Sequence, residues 1–453
     1  MASRSLGLHS CHERQAKVHA VPGAKAALIQ AGQPCYKPIA SNYGRKRVNT
    51  NRRGFMGGMS GAALLSATGT AWAQKKYDDG ASDTEIKIGN TNPYSGPASA
   101  YAAIGKTIDT YFKAVNEAGG INGRKIKFIS LDDGYVPSKT VELVRQMVEG
   151  DKIFALFQSL GTPCNTAIHK YMNTRKVPQL FVATGASKWG DPKNFPWTMG
   201  FQPDYHTEAV IYAKHALANV KDPKIGVLIQ NDDFGRDYLG GLKEGLGKSV
   251  DKIVKTVTFE ATDPTVDSQV IQLKDSGANI FMNFAGPKAG AQAIRKAVDI
   301  DWKPVQYLTN VSVSVAAVMK PAGFENAQGI MTASYLMDST DKQWDTNEEM
   351  KTWRAWMDKN MPGANKADAN HVYGYAVSYL MTETLKRCGN DLTRANLMKQ
   401  AASFQKFRVP LLLPGIFVNT SPTDFYPVQA VQLQRFKGET WELFGEVMHA
   451  EST

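Results

Sequence analysis

The sequence predicts an α/β protein of two similar lobes, each built on a mainly parallel sheet wrapped by helices. Three observations carry that reading. Strand and helix patterns alternate from Glu85 onward, and a second alternating series begins near Tyr205. Units of the β-α-β kind build parallel sheets. The part of the 453-residue chain beyond Ala73, roughly 380 residues, exceeds what one core comfortably serves. Long helical stretches and a closing hairpin then follow the second series.

Ahead of the first strand, Asn51-Arg52-Arg53-Gly54-Phe55-Met56 leads into an uncharged run that ends Ala71-Trp72-Ala73. Small side chains beside a cut suit a signal peptidase, and paired arginines before such a run resemble a twin-arginine export signal. The run is marginal for spanning a bilayer. Residues 1–73 are therefore expected to be a basic leader and export signal, with the body working in the periplasm. The leader also accounts for the charge. It carries ten of the 53 Lys and Arg against a single acid, Glu13, whereas the body is almost neutral despite a formal net charge of +11 for the chain. No basic stripe marks a nucleic-acid surface. Cys11 and Cys35 leave with the leader. Cys164 and Cys388 remain far apart, and nothing in the sequence requires them to pair.

In the first series, strands are expected at 86–90, 125–131, 153–157 and 179–183. Ile104, Ile108, Tyr111 and Val115 fall at helical spacing, and Gly119-Gly120 ends that helix. A second helix spans 137–149, with Val141, Val144 and Val148 on one face, and a third starts at Pro163. In the second series, helices at 208–218, 238–246, 266–274 and 289–298 alternate with strands at 224–230, 254–259, 279–284 and 304–309. Helices at 346–360, 370–386 and 391–403 follow, and strands at 428–436 and 441–446 form the hairpin.

In open parallel sheets, ligands sit beyond the carboxyl ends of the strands. Here those ends carry small, hydroxyl-rich, nearly uncharged loops: 94–101 with Tyr101, then Leu160-Gly161-Thr162-Pro163, then Thr184-Gly185-Ala186-Ser187. Pro163 suits a first helical turn, with Thr162 as its N-cap. Free N–H groups at such a start hold a carboxylate without a cationic side chain. Phe234 follows the first strand of the second series, where it either covers an apolar ligand group or staples the next helix. Ala285 and Asn310 end later strands and are expected to face the same cleft. The search for enzyme signatures is empty: no G-x-S-x-G, H-E-x-x-H, Walker A or G-x-G-x-x-G occurs in the body. His169, His206, His215, His371 and His449 lack metal-ligand spacing, so no metal, cofactor or catalytic residue is expected. The pairs Asp132-Asp133 and Asp232-Asp233 read as turn and helix caps.

These residues resemble the Leu/Ile/Val-binding protein family, the type I periplasmic solute-binding proteins of ABC importers. The resemblance rests on Pro93-Tyr94-Ser95-Gly96-Pro97, on Asn116-Glu117-Ala118-Gly119-Gly120-Ile121-Asn122-Gly123-Arg124-Lys125, on Asp132-Asp133 and on Asn231-Asp232-Asp233-Phe234-Gly235. It implies two Rossmann-like lobes joined by a three-strand hinge, with crossings near Phe201, Ser334 and Thr423. Lobe 1 is then 83–201 plus 335–422, and lobe 2 is 202–334 plus 423–450. It further implies a monomer that clamps a small carboxylate or an amino acid in the interlobe cleft and delivers it to ABC transporter permease subunits. By the same resemblance the carboxylate is held by Leu160, Gly161, Thr162, Thr184, Gly185 and Ala186, with the ligand's far end near Tyr101. The family's acid for an ammonium group falls at Asn310, and its supporting Tyr at Phe234. The family's lobe-one disulfide partner is replaced by Gly134-Tyr135. A buried ammonium without a counter-charge costs several kcal/mol. Aromatic carboxylates, such as phenylpropenoid-type acids, therefore rival branched-chain amino acids as ligand. A sensor with the same fold and an exported α/β enzyme are the further alternatives.

Overall fold

The computed structural model describes residues 75–449, so the export-signal reading lies outside the described residues. Strand β1 (Lys76–Tyr77) precedes β2 (Glu85–Asn92), α1 (Ala102–Glu117), β3 (Lys125–Asp132), α2 (Pro137–Arg145), β4 (Ala155–Phe157), α3 (Thr162–Arg175), β5 (Gln179–Val182) and β6 (Thr198–Gly200). Next come α4 (Tyr205–Asn219), β7 (Ile225–Gln230), α5 (Asp233–Leu246), β8 (Ile253–Phe259), α6 (Asp267–Asp275), β9 (Ile280–Phe284) and α7 (Pro287–Asp299). They lead to β10 (Val305–Leu308), the short α8 (Lys320–Ala322) and β11 (Met331–Ser334). The chain closes with α9 (Glu348–Asn360), α10 (Ala369–Cys388), β12 (Asp391–Leu392), α11 (Arg394–Ala401) and the hairpin β13 (Ala430–Lys437) and β14 (Thr440–His449).

Two main sheets result. The five-stranded sheet has the order β3-β2-β4-β5-β6 and is parallel throughout. The seven-stranded sheet has the order β14-β13-β11-β10-β9-β7-β8; the five strands β7 to β11 are parallel, and the hairpin adds antiparallel at β11. In each sheet the chain makes one β-α-β step outward and then crosses to the other side of the starting strand. This leaves a topological switch point beside β2 in one sheet and beside β7 in the other, where a crevice opens at the carboxyl ends.

The sequence pattern explains why these strands lie inside. Strands β7 and β9 are buried along their whole length, as expected where helices cover both faces of a parallel sheet. Helix α1 turns Ile104, Ile108 and Phe112 inward against Ile86 and Ile88 of β2. Each such side chain contributes about 1.5–3 kcal/mol of burial. Asp232 caps α5, accepting from the N–H groups of Phe234 (2.9 Å) and Gly235 (3.4 Å).

Several expectations need correction. The predicted helix at 391–403 starts only at Arg394, where Thr393 accepts from Asn396 N–H, because Asp391 and Leu392 pair in parallel with Lys76 and Tyr77. That pairing joins segments distant in sequence, and local spacing carries no trace of it. Strands β6 and β11 are short and were not expected. Thr162 is not a side-chain cap: Gly161 stands at the N-cap of α3, and the Thr162 hydroxyl is engaged elsewhere. Cys164 and Cys388 are both buried and free. Asp132, Asp133 and Asp232 act as turn and helix caps, whereas Asp233 instead pairs with Lys188 and Arg236. Asp132 accepts from the N–H groups of Tyr94, Ser95 and Gly134, and Asp133 from Tyr135 N–H and the Thr140 hydroxyl.

Candidate ligand-binding cleft

A cavity with about 1310 Å³ of atom-free space, part of it open to solvent, lies between the carboxyl ends of the two sheets. The five-stranded half supplies the loop after β2 (Pro97, Ala98 and Tyr101), the start of α3 (Leu160, Gly161 and Thr162) and Ala183 after β5. The seven-stranded half supplies Gln230 at the end of β7, Phe234 after it, Gly286 and Pro287 after β9, and Asn310 and Val311 after β10. The walls are strongly aromatic: Tyr101, Tyr135, Tyr205, Tyr335, Tyr373, Phe234 and Phe259 all line the space. Tyr205 meets Phe234 edge-on at 5.1 Å and stacks on Tyr238 at 4.7 Å, so both cavity-lining rings are held rigidly from behind.

Of the residues expected at the site, Tyr101, Leu160, Gly161, Thr162, Phe234 and Asn310 line this cavity. Thr184, Gly185, Ala186 and Ala285 do not; they stand one layer behind it. The Thr184 hydroxyl accepts from Ala186 N–H (3.3 Å) and from the Trp189 indole N–H (3.5 Å), and it lies 2.6 Å from the Thr162 hydroxyl. Either hydroxyl can donate in that pair. The Thr162 hydroxyl lies beside the first-turn N–H groups of α3. Such a helix start favours an anion. Gly185 packs against the Tyr205 ring and accepts the Tyr205 N–H (2.7 Å). Ala285 is buried and accepts the Ser312 hydroxyl (2.7 Å) behind Gly286. Phe234 is 5 % exposed and does both things expected of it, packing on Tyr238 while also lining the cavity.

Sequence reasoning missed a buried acid beside Asn310. Glu208, in the first turn of α4, is 1 % exposed. It accepts from Asn310 N–H (2.9 Å), the Asn310 side-chain amide, the Tyr212 hydroxyl (2.7 Å) and the Tyr238 hydroxyl (2.9 Å). Burial pushes its pKa up to about 7, against the pull of these four donors. A pH dependence follows. A carboxyl raised from 4.5 in the fold binds more protons there than in the unfolded chain, so its stabilising contribution is present below about pH 4.5 and is lost as pH rises through about 7. Asp338, raised to about 6 chiefly by burial, acts in the same direction. Burial lowers His169 to about 4, which acts in the opposite direction, so the Glu208 share is read against Glu208→Gln: in urea unfolding at pH 5 and pH 8 the wild type should lose more stability toward pH 8 than the variant.

The two halves also bond to each other around the cavity. The Tyr101 hydroxyl donates to Val311 O (3.1 Å), and the Ser314 hydroxyl donates to Asp368 (2.9 Å). On the other side, Asp237 of α5 accepts Ser187 N–H (2.9 Å) and the Ser187 hydroxyl (2.6 Å), and Lys188 pairs with Asp233 at 2.5 Å. The Lys188–Asp233 pair is about one-third exposed, and such pairs contribute about 0–1 kcal/mol. The Ser187–Asp237 pair is better shielded. Asp237→Ala should therefore weaken ligand binding by about tenfold, and Lys188→Ala by about threefold or less, both read by calorimetric titration.

Residues 85–440 match the family model described as periplasmic binding protein. The chain belongs to the periplasmic binding protein family. Members of this family are solute-binding proteins rather than enzymes. The fold is that of type I periplasmic binding proteins. A Thermus thermophilus branched chain amino acid ABC transporter structure with bound valine superposes with a TM-score of 0.73 at 15% identity, covering 81% of this chain and 97% of that one. A Rhodopseudomonas palustris BisB5 ABC transporter solute binding protein in complex with 3,4-dihydroxy benzoic acid gives 0.67 at 19% identity, covering 81% and 98%. Among curated proteins, the Leu/Ile/Val-binding protein homolog 1 of Brucella abortus (strain 2308) is 23% identical over 362 residues, which is 78% of this periplasmic binding protein and 90% of the relative. Among the described residues no helix is long and apolar enough to cross a membrane, and no cluster of His, Cys, Asp and Glu forms a metal site.

Proposed function

We propose that this protein is the periplasmic solute receptor of an ABC importer of the branched-chain amino acid type, and that it binds a small carboxylate between two hinged lobes. In this reading lobe 1 is 83–201 plus 335–422 and lobe 2 is 202–334 plus 423–450. The ligand carboxylate sits beside Gly161 at the start of α3, on the N–H and hydroxyl of Thr162, since Gly161 N–H is taken by Ala183 O and Pro163 has none. The body of the ligand lies among Tyr101, Tyr205 and Phe234. A ligand that touches both lobes only when they close shifts the population toward the closed form, and the permease takes its cargo from that form. One observation carries the reading: a single cavity is lined by strand ends of both sheets, with a helix start on one wall and aromatic rings around it.

The ring-rich lining favours an aromatic carboxylate, and the Rhodopseudomonas palustris neighbour in complex with 3,4-dihydroxy benzoic acid supports that class. A branched-chain amino acid is the second reading, supported by the Brucella relative's name and by the Thermus thermophilus neighbour with bound valine. Thermal-shift screening against leucine, valine, 4-hydroxycinnamate and 3,4-dihydroxybenzoate separates them. A ligand at a hundred times its Kd stabilises the fold by about 2.7 kcal/mol. Melting should rise with the aromatic acids. A rise with leucine alone would overturn the aromatic reading and leave the receptor reading in place.

A further inference from the structure

We propose that Glu208 sets the hydrogen-bond polarity of the cavity wall at Asn310, so that this wall selects ligands whose second polar group is a donor, a hydroxyl or an N–H, over ligands that lack one. The inference deepens the carboxylate-receptor reading above and rests on it. The backbone N–H of Asn310 donates to one carboxyl oxygen of Glu208 at 2.9 Å, and the Asn310 side-chain amide nitrogen donates to the other. The nitrogen end of that amide is thereby held against Glu208. Above about pH 7 Glu208 is an ionised carboxylate, which only accepts, so the opposite assignment, with Asn310 Oδ1 toward Glu208, sets two acceptors against each other. Among the described residues no protein donor reaches Asn310 Oδ1, and Asn310 lines the cavity. The group this wall offers a ligand is therefore an acceptor oxygen.

The remaining contacts of Glu208 make it a fixed support. Tyr212 and Tyr238 both donate to it, and both are buried. Tyr212 is itself locked by Ala333 N–H (2.7 Å), and the Tyr238 hydroxyl lies 2.6 Å from that of Thr309. Glu208 does not line the cavity, so it acts through Asn310 as a positioning residue. A buried acceptor left without a donor costs binding energy, so a ligand lacking the donor is penalised.

Glu208→Gln tests this directly, because it reverses the wall. The glutamine must still offer an oxygen to Asn310 N–H, which places its NH₂ against the Asn310 amide. That amide must then turn its oxygen toward the glutamine and its nitrogen toward the ligand. Calorimetric titrations at pH 8, where Glu208 is ionised, with two matched pairs, 4-hydroxycinnamate against cinnamate and leucine against 4-methylpentanoate, read the effect. In the wild-type protein, the donor-bearing member of whichever pair binds should bind about tenfold more tightly. In Glu208→Gln that preference should fall below about twofold or reverse. Asn310→Ala, which removes the acceptor without disturbing the Glu208–tyrosine contacts, should also bring it below about twofold, and it carries the test if Glu208→Gln fails to fold. A pair that binds with no preference, or a preference unchanged in the folded variants, overturns the proposal and leaves the receptor reading standing. No binding by any of the four probes removes the receptor's carboxylate reading and this proposal with it.

Discussion

Gly161→Ala should weaken carboxylate binding by about a hundredfold, because it strikes the anion subsite and its geometry together. Gly161 has φ +95°, and a Cβ there would lie 2.4 Å from Cε2 of Tyr135, itself part of the cavity wall. The position also fixes the start of α3. Gly161 N–H donates to Ala183 O (3.3 Å), and Gly161 O accepts both the N–H (3.0 Å) and the side-chain amide (2.9 Å) of Asn165. An alanine must displace either the Tyr135 ring or the helix start, and both touch the place where a carboxylate would sit. Bonds from N–H groups to a charged acceptor contribute about 1.5–3 kcal/mol each, so losing the alignment of one or two accounts for the expected factor. Titration with the tightest-binding carboxylate measures it. Circular dichroism should report a folded protein, destabilised by about 1–3 kcal/mol through backbone strain. Unchanged affinity in Gly161→Ala would place the ligand's acid group elsewhere.

Glu208→Ala should be the most damaging single change to stability near the cleft, at about 3 kcal/mol or more in urea unfolding at pH 5, below the range in which the Glu208 contribution is lost. The substitution leaves Asn310 N–H and the Asn310 amide buried without their acceptor. The two tyrosines fare better, because Tyr212 still reaches Leu308 O (2.9 Å) and Tyr238 still reaches the Thr309 hydroxyl (2.6 Å). Glu208→Gln retains an acceptor for Asn310 N–H and should cost less than half as much. Equal losses for the two variants would show that side-chain volume, rather than hydrogen bonding, is what matters there.

Much of this architecture is legible in the sequence because its logic is local. A parallel strand buried on both faces reads as a continuous apolar run, as in 225–229, and the helix after it opens with a cap such as Asp232. Site loops are legible for the same reason: they must lie at strand ends, and the strand ends can be counted. Tyr101, Gly161, Thr162, Phe234 and Asn310 stand in or beside such loops and line the cavity. Contributions from far along the chain are not legible in this way. Tyr135, Tyr335 and Tyr373 line the cavity from a turn, a strand exit and the return helix α10, where nothing in the spacing sets an aromatic residue apart from a core one. Glu208 is the clearest case. An acid in a first helical turn normally serves the helix dipole, and Asp204 already caps α4 by accepting Thr207 N–H (2.8 Å). Only the fold brings β10 against that turn and turns an ordinary surface acid into a buried partner for Asn310. Thr184 and Ala285 illustrate the converse. Their loops are the expected ones, but their side chains stand behind the wall and support the residues that form it.

Native mass spectrometry of the purified protein, incubated with a panel of aromatic and branched-chain carboxylates, tests most directly whether the molecule holds a solute in the cleft without transforming it. A one-to-one adduct at the unaltered mass of the ligand is predicted, strongest for an aromatic acid bearing a hydroxyl and greatly reduced in Gly161→Ala. Release of a compound of different mass, or an adduct equally abundant in Gly161→Ala, would contradict the account.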